Sequence, residues 1–258
     1  MDGVQSVYRS LLLLNYLGDA GKPLGLSELS RAVVLPKSTT KRLLSTLLQC
    51  EYIKYDAESE KYGLGSQVLR LGSSMLSSLE LRNEARDVVL NLRELTGQTI
   101  FLAIPNKFEV IYIDKVAGDI SMRASVGSRA QAHCTGIGKA CLAYMPEETV
   151  DELLACNELN RMTPYTITDP SALKEELVRI RSRGYATDEK ENREEIRCVA
   201  APIMNYSSQV AGSISISGFV GSFTPQKALD SVPHLLQAAN EISRRMGYSQ
   251  QRSSTQIK

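Results

Sequence analysis

The chain has 258 residues, 43% hydrophobic and 23% charged, with a formal net charge of +1. That is room for one large domain or two modest ones, with the composition of an ordinary soluble protein. Any nucleic-acid binding has to come from a local patch, because the chain as a whole is not basic. The longest obvious apolar run, Leu11–Leu14, is far short of a membrane span, and the first residues lack the basic-then-apolar order of a signal peptide. A cytoplasmic location is therefore expected. The five cysteines, Cys50, Cys134, Cys141, Cys156 and Cys198, are widely spaced without CxxC, as suits reduced thiols. The two histidines, His133 and His234, offer no zinc spacing, so neither a metal nor a cofactor is expected.

Residues 4–17 read as a helix with the stripe Val4, Val7, Leu11 and Leu14, stopped by "GDAGKP". Ser27 is placed to cap a short second helix, "ELSRAVV". A turn at Leu35-Pro36 leads to a third helix over Lys37–Gln49. Three short helices with a tight turn between the last two are the plan of a helix-turn-helix. On the third, Thr40, Leu43, Leu44 and Leu47 share one side, and Ser38, Lys41, Arg42, Ser45 and Gln49 the other. The segment 36–49 has three cations and no acid. Hydroxyls, lysines and arginine on one helix face match phosphate and base-edge contacts; a plain solvated face is the bland alternative. "YIKYDAESEKYGLG" then alternates as a hairpin, Tyr52–Tyr55 with Lys61–Leu64. That makes the unit winged, with Lys54 and Lys61 suited to touching phosphates.

From Ser66 to Leu95 a helical stripe runs through Val68, Leu71, Met75, Leu79, Ala85, Val88, Leu92 and Leu95, and Gly97 ends it. A partner subunit is one way to cover that stripe. Strands follow: "TIFLAI", "VIYIDKV" and "ISMRASV". Helices are expected within "HCTGIGKACLAYM", at "PEETVDELLA" with Pro146 in the first turn, and at "SALKEELVRIRSRG". The strands "RCVAAPIM" and "VAGSISIS" come next. A last helix, "TPQKALDSVPHLLQAANEISRRMGY", has Thr224 as cap and Pro233 as a kink point. Strands grouped with flanking helices indicate an α+β domain.

Catalytic motifs fail on inspection. "GIGKA" lacks the first P-loop glycine, with His133 there, and Ala140 stands where a hydroxyl would hold magnesium. "GLGSQV" ends in Val68 instead of the last dinucleotide-binding glycine. "GSISISG" is not a nucleophile elbow. Its period of two puts Ser213, Ser215 and Ser217 on one face and Ile214 and Ile216 on the other. The hydroxyl row can serve solvent, a ligand pocket or a catalytic serine. Gly136 and Gly138, where a helix begins, allow close approach and offer N–H groups to an anion. A small-molecule hydrolase using a serine or Cys198 is the alternative to a binding function.

Six blocks, "VQSVYRSLLLLNYL", "GLSELSRAVVLPKSTTKRLLSTLLQCEYI", "KYGLGSQVLRLG", "VGSRAQAHCTGIGKACLA", "RCVAAPI" and "VAGSISISG", resemble the isocitrate lyase regulator (IclR) family in order and spacing, over about Val4 to Tyr248. The resemblance implies an N-terminal winged helix-turn-helix (residues 1–65), a linker helix (66–82), a C-terminal GAF-like effector domain (83–250) and a flexible tail (251–258). It implies an effector-responsive transcription regulator and no enzyme: more often a repressor of a catabolic operon, binding a palindromic double-stranded operator as a homodimer or dimer of dimers. Its implied ligand is a small organic acid, held by Met122, Gly136, Ile137, Asp188, Cys198, Ser215 and Ser217, while Ser213 is an ordinary strand-edge hydroxyl. The candidate DNA contacts are Lys37, Ser38, Thr39, Lys41, Arg42, Ser45, Lys54 and Lys61. Gln131, Ala132 and Glu195 depart from the family pattern around the pocket, and Thr40 and Lys41 depart from it in the recognition helix.

Overall fold

The computed structural model describes residues 4–78, 80–118, 122 and 124–249. Its contacts divide into two compact units, Met1–Ser78 and Leu79–Lys258. The division falls inside the expected 66–82 linker, and the expected tail lies outside the described residues.

The first unit runs α1 (Gln5–Ala20), β1 (Leu24–Gly25), α2 (Leu26–Ala32), α3 (Lys37–Gln49), β2 (Ile53–Asp56), β3 (Lys61–Leu64) and α4 (Ser66–Ser78). Leu13, Leu17, Leu29, Leu44, Leu47, Ile53 and Tyr62 form its core, each large side chain contributing about 1.5–3 kcal/mol by leaving water. α1 corrects the expected stripe. Leu13 and Leu17 are buried, whereas Val4, Val7, Tyr8 and Leu11 stand at 53–68% exposure. The expected cap of α2 is also corrected: Gly25 is the N-cap. The Glu28 carboxylate accepts from the Gly25 N–H at 2.8 Å, which starts the helix before Ser27 and leaves Ser27 inside its first turn.

The turn between α2 and α3 is tight. Ser30 Oγ donates to the Leu35 carbonyl at 2.5 Å, and Leu35 N–H donates to Ser30 O. Between them Val34 takes φ +51° while 87% exposed, a conformation costly for a β-branched residue. α3 keeps the predicted limits. Thr40, Leu44 and Leu47 are buried, and Ser38, Lys41, Arg42, Ser45 and Gln49 are exposed. β2 and β3 pair antiparallel, with β1 added on the other side of β3 as an unexpected third strand. Of the helical stripe after Ser66, Leu71 is exposed, the side chain of Met75 and all of Leu79 lie outside the described residues, and Leu95 is exposed.

The second unit runs α5 (Glu80–Thr96), β4 (Thr99–Asn106), β5 (Glu109–Val116), β6 (Arg129–Gln131), α6 (Gly136–Ala143), α7 (Glu147–Cys156), α8 (Pro170–Arg183), β7 (Ala186–Glu189), β8 (Ile196–Met204), β9 (Val210–Phe219) and α9 (Pro225–Arg245). Gly97 ends α5 at φ +66°. Pro146 is the N-cap of α7 and not a first-turn residue. The strands form one antiparallel sheet in the order β6-β5-β4-β9-β8-β7. No strand occurs among the described residues of 120–126; the third strand is β6.

Strand parity sorts the sheet into two faces. Phe101 and Ala103 of β4 lie opposite Ser215 and Ser213 of β9, and pack with Ile137, Ala140, Leu173, Leu177 and Ile180 of α6 and α8. Ile214 and Ile216 turn to the other face and are fully buried; α5 and α9 pack on the sheet and on each other. The domain is thus α+β, a six-stranded antiparallel sheet between helices.

Candidate functional site

Two surfaces carry the chemistry, one in each unit. In the first, α3 presents Lys37, Ser38, Lys41, Arg42 and Ser45 to solvent, with Thr39 half-buried. The hairpin register pairs Lys54 with Gly63 and Asp56 with Lys61, so alternation puts Lys54 and Lys61 on one face. Lys41 and Lys61 line a common shallow cleft with Glu28 and Glu60. The third helix and the wing therefore share one cleft in which two lysines stand with two glutamates.

In the second unit a cavity of about 390 Å³ opens between the sheet, the start of α6 and the loop from β7 to β8. Six of the seven expected residues line it: Met122, Ile137, Asp188, Cys198, Ser215 and Ser217. Gly136 does not. It lies behind Cys198, and a Cβ there would stand 2.6 Å from the Cys198 sulfur. The lining that sequence did not single out is Phe101 and Tyr112, with ring centroids 4.9 Å apart, Thr135, Asn192, Arg193 and a few further apolar groups. Phe101 was reachable in principle, since it shares its face with Ser215. Neither Gln131 nor Ala132 lines the cavity, so of the pocket departures from the family pattern only Glu195 does.

One N–H group at the start of α6 is capped from within: Thr135 Oγ1 accepts from Gly138 N at 3.2 Å. Ser215 and Ser217 hydroxyls are 3.4 Å apart and face the cavity. Ser213 is no strand-edge group: it is fully buried in a central strand. It donates to the Ile137 carbonyl at 2.7 Å and accepts from the Cys141 thiol at 3.1 Å, tying α6 to β9.

Asp188 is buried at the floor. Its Oδ1 accepts from the backbone N–H groups of Glu191 at 2.8 Å and Asn192 at 3.4 Å. Beneath it Lys139, 1% exposed, pairs with Glu191 at 2.5 Å. Burial, and next the Glu191 carboxylate, push the Asp188 carboxyl up to about 7, against the opposing pull of Lys139. A carboxyl with a raised folded pKa takes up a proton on folding between its unfolded value and about 7, so the stability it contributes falls as pH rises through that window. Asp188→Asn is expected to flatten the fall in stability between about pH 4 and pH 7. Urea titrations of both proteins across that range check this; parallel pH profiles would refute it.

The thiols are ill-suited to attack. Burial raises Cys198 and Cys134 to about 12, and the thiolate is the nucleophile. His133 spends Nε2 on the Asn160 carbonyl at 3.0 Å, and no histidine is among the residues lining the cavity.

A helix-turn-helix with a cationic third helix, carried on the same chain as a cavity-bearing α+β domain, is the build of a DNA-binding transcriptional regulator. Comparison with known families fixes which kind. Residues 6–57 match the IclR helix-turn-helix domain, and residues 73–244 match the bacterial transcriptional regulator IclR C-terminal domain. The chain belongs to the IclR family. It is 33% identical over 247 residues to the HTH-type transcriptional regulator XynR of Escherichia coli, covering 95% of this chain and 98% of that one. It is 34% identical over 244 residues to the Transcriptional repressor IclR of Escherichia coli, covering 93% and 89%. The crystal structure of the Thermotoga maritima IclR superposes with a TM-score of 0.77 at 32% identity, covering 94% of this chain and 99% of that one. These relatives are regulators, not enzymes, which goes against the hydrolase alternative. Among the described residues no helix is long and apolar enough to cross a membrane.

Proposed function

We propose that this chain is a repressor of a catabolic operon, working in the cytoplasm, whose hold on a palindromic operator is altered by a small organic acid bound in the C-terminal cavity. The cavity carries this reading: about 390 Å³ of apolar wall with a few convergent polar groups has the make-up of a small-molecule site. The name of the Escherichia coli repressor supports the sign of control. On the DNA side, Lys37, Ser38, Thr39, Lys41, Arg42 and Ser45 are assigned to the groove and Lys54 and Lys61 to flanking phosphates. The working unit is a homodimer, alone or paired. The exposed Val4, Val7, Tyr8 and Leu11 of α1 lie at spacings of three and four, an apolar stripe of the kind that marks an association face.

The test is a thermal-shift screen of organic acids followed by gel shifts on a footprinted operator. One acid is expected to raise the melting temperature, since a ligand that binds only the folded state stabilises it, and to change operator affinity. Ala124→Trp, which fills the cavity, is expected to abolish both effects while leaving operator binding intact. An acid acting equally on that variant would remove the cavity from the mechanism. Sedimentation as a monomer at operator-binding concentrations would remove the dimer.

A further inference from the structure

The turn ahead of the third helix carries a side chain that the fold itself does not use. α2 ends in a hydrogen-bonded cap: the Leu35 N–H donates to the Ser30 carbonyl at 3.1 Å, and the Val34 N–H to the Arg31 carbonyl at 3.2 Å. In such a cap the residue at the Val34 position is left-handed, and glycine is its usual occupant, having no Cβ to clash. Ser30 Oγ ties the turn a third time, donating to the Leu35 carbonyl. Val34 holds φ +51° because these bonds impose it. A β-branched side chain in that region is a strained exception.

Nor does the side chain find cover. Val33 packs against the core of the first unit and Leu35 is half-buried, whereas Val34 is 87% exposed. It is the most exposed large apolar side chain among the described residues. Strain and exposure both count against valine here, and local rules of this kind are broken chiefly at functional sites. The surroundings indicate the partner. Arg31 and Lys37, three residues to either side, are both exposed, so two cations able to hold phosphates flank the valine. Lys37 opens α3, and the first residues of a recognition helix are the ones that meet base edges.

We propose that Val34 is a sequence-reading residue: with α3 in the major groove, its methyl groups pack on the C5-methyl group of a thymine at the edge of each operator half-site. Valine has no hydrogen bond to offer, and the thymine methyl is the one apolar feature that a base pair shows in that groove. The free protein leaves the side chain in water, and the operator takes it out of water. This rests on the assignment of α3 to the groove. It adds a contact outside the polar face of that helix, and the base that the contact selects.

The test is a deoxyuridine scan of the footprinted operator. Each thymine of one half-site is replaced singly by deoxyuridine, which lacks only the methyl group, and gel shifts are run with the full chain. At one thymine the replacement is expected to weaken binding about fourfold, the worth of one buried methyl group. Val34→Gly is expected to weaken operator binding about 5- to 20-fold. It should leave a scrambled duplex and the salt slope unchanged, and be indifferent to the methyl group at that same thymine. Val34→Ile, which keeps the methyl contact, is expected to keep the uridine effect. The N-terminal unit of Val34→Gly is expected to melt about 2–6 °C higher as the strain is relieved, which separates its weaker binding from a folding defect. If Val34→Gly binds the operator as the unaltered chain does, or no uridine position tells the two proteins apart, the contact is wrong. If Lys41→Ala and Arg42→Ala also bind unchanged, the assignment of α3 to the groove fails with it; if those two weaken binding, only the Val34 contact falls.

Discussion

Replacing Lys139 with methionine is expected to cost the C-terminal domain about 3–5 kcal/mol of stability at neutral pH, the usual result of stripping one partner from a buried ion pair. The ammonium is 1% exposed and 2.5 Å from Glu191. The second Glu191 oxygen, Oε2, is buried with no hydrogen-bond partner among the described residues, and Asp188 lies close enough for the Glu191 charge to raise its pKa. Without the lysine, two carboxyl groups are left to share a dry site with no cation. The damage is specific to charge, so adding Glu191→Gln to Lys139→Met is expected to recover most of the loss. Urea unfolding followed on the C-terminal domain measures both. A loss below about 1 kcal/mol for the single variant, the range of exposed pairs, would mean the pair is solvated.

The second large effect is on DNA. Arg42→Ala and Lys41→Ala are each expected to weaken operator binding by about 1–3 kcal/mol where they read base edges. A residue that contacts only phosphate behaves differently: its loss weakens every sequence alike and lowers the salt slope by about one. Gel shifts at several salt concentrations, with operator and scrambled duplex, separate the two roles. Unchanged affinity in both variants would sink the assignment of α3 to the groove. Both side chains are exposed on the face opposite Leu44 and Leu47, so neither substitution disturbs the core.

The limits of α3 were legible because local chemistry sets them: Pro36 precedes the first turn, and a 3.6-residue apolar stripe runs to Leu47. The hairpin was legible for the same reason. Other features answer to partners distant in sequence. A stripe says which residues share a face, not which face is covered, so Val4, Val7 and Leu11 were as plausible inside as Leu13 and Leu17. Glu28 moved the α2 cap from Ser27 to Gly25 by one side-chain hydrogen bond. Six of the seven expected effector residues line the cavity, and these came from family resemblance. Arg193 and Tyr112 join them through the β7–β8 loop and the β5 strand, which no local pattern ties together. Lys139 sat in a stretch that invited comparison with a phosphate loop, and its pairing with Glu191, 52 positions away, has no local trace.

Strand β9 has two ends with different neighbours. Ser215 and Ser217 look into the cavity. At the other end Gly212 presses so close to α5 that a Cβ there would come within 2.6 Å of the Leu81 side chain. Leu81 lies in the first turn of α5, the helix by which the chain enters the C-terminal domain. Two residues of hydrogen-bonded strand, Ser213 and Ile214, flanked on both sides by β4 and β8, separate the Ser215 hydroxyl from the glycine. A strand bonded on both sides holds its register, so a side chain at Gly212 would have to be accommodated by Leu81, and any such substitution loads the first turn of the domain and not the cavity wall.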